Sequence, residues 1–257
     1  MAPLPYFHLR FFSPSEKETE ICDRIVTNTA GLVARHLNKR FSLPISLVLS
    51  RLGVKPNNIT FFNMFVGLLS GIFAAVGTPT SILWGGILFQ AASVLDGVDG
   101  EVAKLTDKAT QAGQWLDTLS DNMTLVVFLV GLTYGLYQTT ESPFILLAGE
   151  LAFISIVILI AIMIIFLRKN TDSGSFVTYD KEFVHKIAME EKGFLPKFIK
   201  YGRHLLKKDS FALLFFLLTL IQLPAAIIYL TAFAATAGWV LMVYFNVKKK
   251  FFRHESL

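Results

Sequence analysis

Cysteine is almost absent from this 257-residue sequence, and each further absence removes a class of protein. The single cysteine, Cys22, excludes a disulfide framework within the chain. The histidines show no zinc-ligand spacing, and no phosphate-binding loop of the form G-x-x-x-x-G-K-[ST] occurs, which argues against a zinc site and a P-loop ATPase. No cleavable signal peptide is expected, because Pro3 and Pro5 interrupt the first residues before an apolar run of the needed length.

Charge is also scarce, and its distribution indicates a membrane protein. Only 17% of the residues are charged and 53% are hydrophobic, and the mean hydropathy is +0.55. The net charge of +5 comes from basic residues at the ends of apolar runs. That placement fits anionic lipid head groups and cytoplasmic flanks, so we expect membrane lipids and no nucleic acid as partners.

The pattern of apolar runs predicts an all-α integral membrane protein with six transmembrane helices. A helical span needs about 20 mainly apolar residues. The predicted spans lie near 59–77, 81–105, 114–137, 143–167, 209–223 and 225–246. Before them, 15–36 and 38–52 read as amphipathic juxtamembrane helices, the first with Ser15 as a possible N-cap.

These runs divide the chain into three parts and orient it. We expect a juxtamembrane segment (1–55), a six-helix domain (56–247) containing a polar loop (168–208), and a basic tail (248–257). Basic residues crowd the first part, the polar loop and the tail, whereas the turns near 77–80, 138–142 and 223–224 carry almost no charge. The positive-inside rule therefore predicts cytoplasmic termini in an inner, cytoplasmic membrane.

Four carboxylates stand at helical spacing where the second and third predicted spans adjoin. Asp96 and Asp99 are three residues apart, and Asp117 and Asp121 are four apart, so each pair shares a helix face. Four such groups brought together need cations between them, and oxygen-only ligands suit Mg²⁺ or Mn²⁺. Simple helix capping, or pairing with Lys104 and Lys108, explains four acids in register poorly.

The same stretch resembles the CDP-alcohol phosphotransferase family, whose motif is D-x-x-D-G-x-x-A-R-x8-G-x3-D-x3-D. Every spacing is kept, and the matching positions here are Asp96, Asp99, Gly100, Ala103, Lys104, Gly113, Asp117 and Asp121. Lys104 departs from the motif, because the family usually has Arg there. Arg binds phosphate oxygens with two nitrogens, whereas Lys is a point charge, so the phosphate contact differs.

The resemblance implies a metal-dependent transferase with its site at the cytoplasmic face. In such an enzyme two cations are held by Asp96, Asp99, Asp117 and Asp121, and Asp121 is the general base. The implied residues of the CDP-alcohol site are Asn57, Thr60, Asp99, Gly100, Ala103, Lys104 and Gly113. Asn57 and Thr60 belong to a P-N-x-x-T pattern that also fits simple helix capping. Lys39, Arg168 and Arg203 are candidates for the acceptor's phosphate, and a homodimer is the family expectation.

The sequence leaves two choices of substrate within this family. The stretches A-R-H-L-N-K-R-F-S, V-K-P-N-N-I-T and K-K-D-S-F resemble the transferase half of the bifunctional inositol-phosphate cytidylyltransferase/di-myo-inositol phosphate phosphate synthase group. That implies a CDP-inositol donor and an inositol phosphate acceptor. The alternative is phospholipid synthesis from CDP-diacylglycerol. A cation-binding transporter stands as a hypothesis of another class, although transport sites favour the bilayer midplane and internal repeats. A structural scaffold leaves the acidic spacing unexplained.

Overall fold

The structure is a computed structural model that describes residues 14–29, 31–170 and 207–254, and this part of the chain contains helices and no strand. Short connections join consecutive helices within 31–170 and within 207–254. Their bounds are α1 Glu16–Asn28, a π-helical turn Ala34–Asn38, α2 Lys39–Arg51, α3 Pro56–Ala75, α4 Pro79–Leu105, α5 Gln111–Thr140, α6 Pro143–Asn170, α7 Lys208–Leu220 and α8 Pro224–His254.

Five of these helices, α3, α4, α5, α6 and α8, are long and apolar enough to cross a membrane. They correspond to five of the six predicted spans. The remaining prediction, 209–223, falls on α7, which has 13 residues and is about 20 Å long at 1.5 Å per residue. Proline at position 224 begins the next helix and leaves α7 no room to lengthen.

The N-terminal region forms two helices, close to the prediction for 15–36 and 38–52. Ser15 is the N-cap of α1, and it exchanges hydrogen bonds with Glu18 in a capping box. The first helix ends at Asn28, earlier than predicted, because the backbone of Thr29 is extended. Cys22 is fully buried between α1 and α2, and this burial raises the pKa of its thiol to about 12, as expected for an inert cysteine.

Small residues let α3 pack closely against both α4 and α5. A β-carbon on Gly131 of α5 would lie 2.2 Å from the backbone oxygen of Gly71 in α3, and one on Gly85 of α4 would lie 2.8 Å from that of Ser70. Only glycine permits backbones to approach this closely. The three helices therefore form a fixed unit, and the end of α4 and the start of α5 lie at the same end of it.

Stacked aromatic rings attach α7 to this unit. Phe89 of α4 and Phe128 of α5 stack with ring centroids 4.5 Å apart, and Phe215 of α7 lies 5.8 Å from Phe89 and 6.2 Å from Phe128. All three side chains are buried. Offset stacking of this kind stabilises beyond the area that it buries, and it fixes where the first residues of α7 lie.

Candidate active site

Three acidic side chains from two helices converge at one end of the bundle. Asp96 lies near the end of α4, and Asp117 and Asp121 lie one turn apart near the start of α5. Each offers a carboxylate oxygen, and these oxygens lie within 4.8 Å of one another. We call this group the acidic cluster. The turn from Thr106 to Thr110 brings the two helices together, with Asp107 in the left-handed conformation (φ 55°).

Asp99 belongs to the same end of the bundle but is held in a different way. It is one turn beyond Asp96 on α4, and its side chain is buried. One carboxylate oxygen accepts a hydrogen bond from the Thr60 hydroxyl of α3. The other accepts from the backbone N–H of Gly100 at 2.6 Å. The contact with Thr60 ties the start of α3 to the end of α4.

Lys208, the first residue of α7, contacts the acidic cluster. This contact was not predicted from the sequence. Its ammonium donates to Asp96 at 2.9 Å and also to Asp121. The three side chains are only partly exposed. The available signal was a lysine in the first turn of a mainly apolar helix, but the sequence interpretation favoured Arg203 instead. The ammonium balances part of the negative charge that the aspartates bring together.

The residues predicted for the CDP-alcohol site lie around this end. Gly113 is in the first turn of α5, and the point that its β-carbon would occupy is 3.7 Å from the side-chain oxygen of Asn57. Gly100 is exposed and would place a β-carbon in open space. Lys104 is exposed near the end of α4, and Ala103 beside it is partly buried. A bulky group can therefore approach the backbone between α4 and α5.

The structure describes the three candidate residues for the acceptor phosphate to different extents. Lys39 is buried, and its ammonium pairs with Glu101 of α4. Arg168 belongs to α6, but its side chain lies outside what the structure describes. Arg203 lies outside the described residues altogether. No contact between these side chains and the acidic cluster is therefore available to support that assignment.

The acidic cluster has the donor chemistry of a site for hard divalent cations. All of its ligand atoms are carboxylate oxygens, they come from rigid helices, and they are close enough to share ions. Mg²⁺ and Mn²⁺ prefer such oxygen ligands. Carboxylates within helices that cross a membrane are costly, and they generally mark functional sites. The residues present therefore fit a divalent cation.

Comparison with known proteins gives relatives that match part of this chain. A protein of Thermococcus kodakarensis named bifunctional IPC transferase and DIPP synthase is 36% identical over 104 residues, which cover 40% of this chain and 23% of that protein. A phosphatidylinositol phosphate synthase of Corynebacterium glutamicum is 26% identical over 143 residues, covering 56% of this chain and 62% of that one. An archaetidylinositol phosphate synthase of Pyrococcus horikoshii is 27% identical over 106 residues, or 41% and 55% of the two chains.

The match to the bifunctional proteins is local, since it spans less than a quarter of their length. The family comparison covers far more of this chain. Residues 54–244 match the sequence profile described as CDP-alcohol phosphatidyltransferase, a segment that includes α3 to α7 and most of α8. That segment contains every member of the acidic cluster and Lys208. The chain belongs to the CDP-alcohol phosphatidyltransferase family.

Proposed function

We propose that the protein transfers a phosphoalcohol group from a CDP-alcohol to the hydroxyl of a second alcohol and releases CMP. The observation that carries this proposal is the convergence of Asp96, Asp117 and Asp121, within a segment that matches the family. Cation transport, the alternative from the sequence, receives no support from the family match.

Asp96, Asp99, Asp117 and Asp121 are the proposed ligands for two divalent cations, either Mg²⁺ or Mn²⁺. Bound there, the cations would supply Lewis-acid stabilisation of negative charge on the diphosphate of the donor. Thr60 orients the Asp99 carboxylate through its hydrogen bond. Lys208 adds a fixed positive charge beside Asp96 and Asp121, and it would attract a phosphate to the same place.

Asp121 is the proposed general base. Its carboxylate accepts the proton of the acceptor hydroxyl, and the freed oxygen forms a bond to the phosphorus that bears the donor alcohol. The phosphoanhydride bond to CMP breaks as this bond forms, and CMP leaves with the electron pair. General-base catalysis of this kind contributes about 10²–10⁴-fold to a rate.

The donor is proposed to lie between α3, α4 and α5, against Asn57, Thr60, Asp99, Gly100, Ala103, Lys104 and Gly113. The open space at Gly100 gives a nucleotide access to the backbone there. Lys104 is placed to balance phosphate charge as a single cation rather than as a two-nitrogen fork. For the acceptor's phosphate we propose Arg168 and Arg203. Lys39 pairs with the buried Glu101 instead.

The names of the relatives favour inositol phosphate as the acceptor. One is a phosphatidylinositol phosphate synthase and another an archaetidylinositol phosphate synthase, whereas a third relative, from Mycobacterium leprae, is a CDP-diacylglycerol–serine O-phosphatidyltransferase. Both CDP-diacylglycerol and CDP-inositol are therefore donors to test. The proposed site faces the cytoplasm of a membrane-embedded homodimer, in keeping with the basic flanks and the family resemblance.

The experiment is a CMP-release assay with the full chain in lipid nanodiscs. CDP-inositol and CDP-diacylglycerol are each supplied with inositol phosphate or with serine, in Mg²⁺, in Mn²⁺ and in EDTA. We expect release with one donor that depends on both the acceptor and the metal. CMP release that is indifferent to EDTA would contradict the proposal, as would cation flux through the same protein in vesicles without CMP.

A further inference from the structure

A buried ion-pair network joins α2 to α4 immediately beside the motif. Glu101 follows Gly100 on α4, and its side chain is almost fully buried. One carboxylate oxygen accepts from the ammonium of Lys39 and from the Ser42 hydroxyl at 2.7 Å, and the other accepts from the Ser46 hydroxyl at 2.6 Å. All three donors lie on one face of α2 and are buried as well. Both oxygens of the Glu101 carboxylate therefore accept hydrogen bonds from the same helix, α2.

A second contact joins the same region to α7. The Asp209 carboxylate accepts a hydrogen bond at 2.7 Å from the backbone N–H of Ala34, in the turn before α2. Gly31 packs against this carboxylate so closely that a β-carbon would lie 2.5 Å from it. Asp209 directly follows Lys208, the residue that reaches the acidic cluster. We call residues 31–51 the N-terminal brace.

The brace thus contacts α4, which carries Asp96 of the acidic cluster, and α7, which carries Lys208. On α4, Glu101 and Gly97 are one turn apart and face α2, since a β-carbon on Gly97 would lie 3.3 Å from the Lys39 nitrogen. Asp99, two residues before Glu101, is on the side that meets Thr60 of α3. The end of α4 is therefore held by α2 on one side and by α3 on the other. A rotation of α4 that broke either contact would also move Asp96 and Asp99.

Apolar packing alone already attaches the brace to α1. Leu43 and Leu47 are fully buried against Cys22 and Ile25. Buried ion pairs generally stabilise a fold no better than apolar residues of the same size, and some of them serve to fix register. The contacts at Glu101 and Asp209 have the geometry for that second role, because Glu101 is on the helix that carries Asp96 and Asp209 directly follows Lys208.

We propose that the N-terminal brace sets the register of α4 and α7 so that Asp96, Asp121 and Lys208 meet, with Glu101 and Asp209 as positioning residues. This inference rests on the proposed function, which assigns metal binding to the acidic cluster. It goes beyond the proposed function because the brace precedes the matched segment 54–244. The family domain is then incomplete without a segment outside it.

The test measures Mn²⁺ binding to the full chain in nanodiscs by electron paramagnetic resonance, beside thermal unfolding of the same samples. Glu101→Gln and Asp209→Ala are each expected to weaken Mn²⁺ affinity about tenfold, the lower end of the range for groups that support metal ligands. Asp209→Asn keeps an oxygen acceptor for the Ala34 N–H and should retain wild-type affinity. Glu18→Gln is the matched control, because it breaks a partly exposed ion pair that Arg51 of the brace makes to α1, and not to α4 or α7.

A double variant, Lys39→Met with Glu101→Leu, separates register from stability. Apolar replacement of the whole pair should leave the unfolding temperature near that of the wild type, while Mn²⁺ affinity per folded molecule stays about tenfold weaker. Wild-type affinity in this variant, or in both single variants, would overturn the brace. If the wild-type protein itself fails to bind Mn²⁺, the proposed function fails, and the two failures are therefore distinguishable.

Discussion

The two ends of helices α4 and α5 are built in opposite ways. At one end their backbones pack against α3 through glycine, as at Gly71 and Gly131. At the other end Asp96 and Asp121 face each other with Lys208 between them. The same pair of helices is thus closed by small residues at one end and held by charged groups at the other.

This difference shows how a membrane bundle can keep an acidic site. Close backbone packing is strong without polar groups, since it gains from dispersion contacts along the helices. Carboxylates at membrane depth are unfavourable on their own. The packed end fixes the helices, and the site end then presents charges that ions and substrates can complete. The predictions below test whether the two ends are separable in this way.

The largest expected effect is on catalysis at the site end. Asp121→Asn should reduce CMP release by about 10²–10⁴-fold, because the proposed base is lost while the side chain keeps its size. Binding of the CDP-alcohol should survive, which isothermal titration can measure. Asp107→Asn is the control, since it removes the same charge from an exposed turn position whose φ of 55° suits Asn. Full turnover by the Asp121 variant would remove this residue from the base role.

The next largest effect is on stability at the packed end. Gly131→Ala would place a β-carbon 2.2 Å from a backbone oxygen of α3, so we expect unfolding to become easier by about 1–3 kcal/mol or more. Gly238→Ala makes only ordinary contacts, the nearest at 3.6 Å, and should be neutral or slightly stabilising. Thermal unfolding in detergent compares the two. Equal behaviour of the two variants would mean that the packed end is looser than the structure has it.

Lys208 tests whether charge balance holds the site end together. Lys208→Met leaves Asp96 and Asp121 without their ammonium partner. We therefore expect the free energy of unfolding in EDTA to fall by about 1–3 kcal/mol. Mn²⁺ should recover much of that loss, because it supplies the missing positive charge. Lys207→Met is the neighbouring control, since the Lys207 side chain does not cap α7. The measurement is the unfolding temperature of each variant with and without Mn²⁺. An equal rise in unfolding temperature with Mn²⁺ in both variants would contradict the role given to Lys208.

The smallest effect concerns a charge pair that joins α1 to α2. Hydrogen bonds from Arg51 lower the pKa of Glu18 from 4.5 to about 2. Because the folded pKa lies below the unfolded one, the pair stabilises fully above pH 4.5 and its contribution disappears as the pH falls toward 2. The pair is partly exposed, so its contribution should stay below about 1 kcal/mol and fall with salt. The stability difference between wild type and Glu18→Gln, followed from pH 6 to pH 3, should shrink.

Local patterns in the sequence predicted the acidic cluster and the start of the first helix. The spacing of Asp117 and Asp121 placed them on one face of a helix, and the structure brings them together with Asp96. Ser15 is the cap that its neighbours predicted. In each case the signal lies within a few residues, where helix geometry alone decides which side chains share a face.

The contacts that were missed all join helices distant in sequence. Lys208 is 112 residues from Asp96, and Lys39 is 62 from Glu101. Periodicity shows which face of a helix is polar, but it does not show which helix will face it. The same limit explains Lys39, which reads from sequence as a ligand for phosphate and is paired with a buried carboxylate in the structure.

The account depends on aspartates from α4 and α5 holding metal together, and anomalous scattering from Mn²⁺-soaked crystals of the full chain tests this most directly. We predict anomalous peaks bounded by the carboxylates of Asp96, Asp117 and Asp121, with Asp99 at the edge of the same site. Peaks confined to other acidic groups at saturating Mn²⁺, with these carboxylates free of metal, would contradict it.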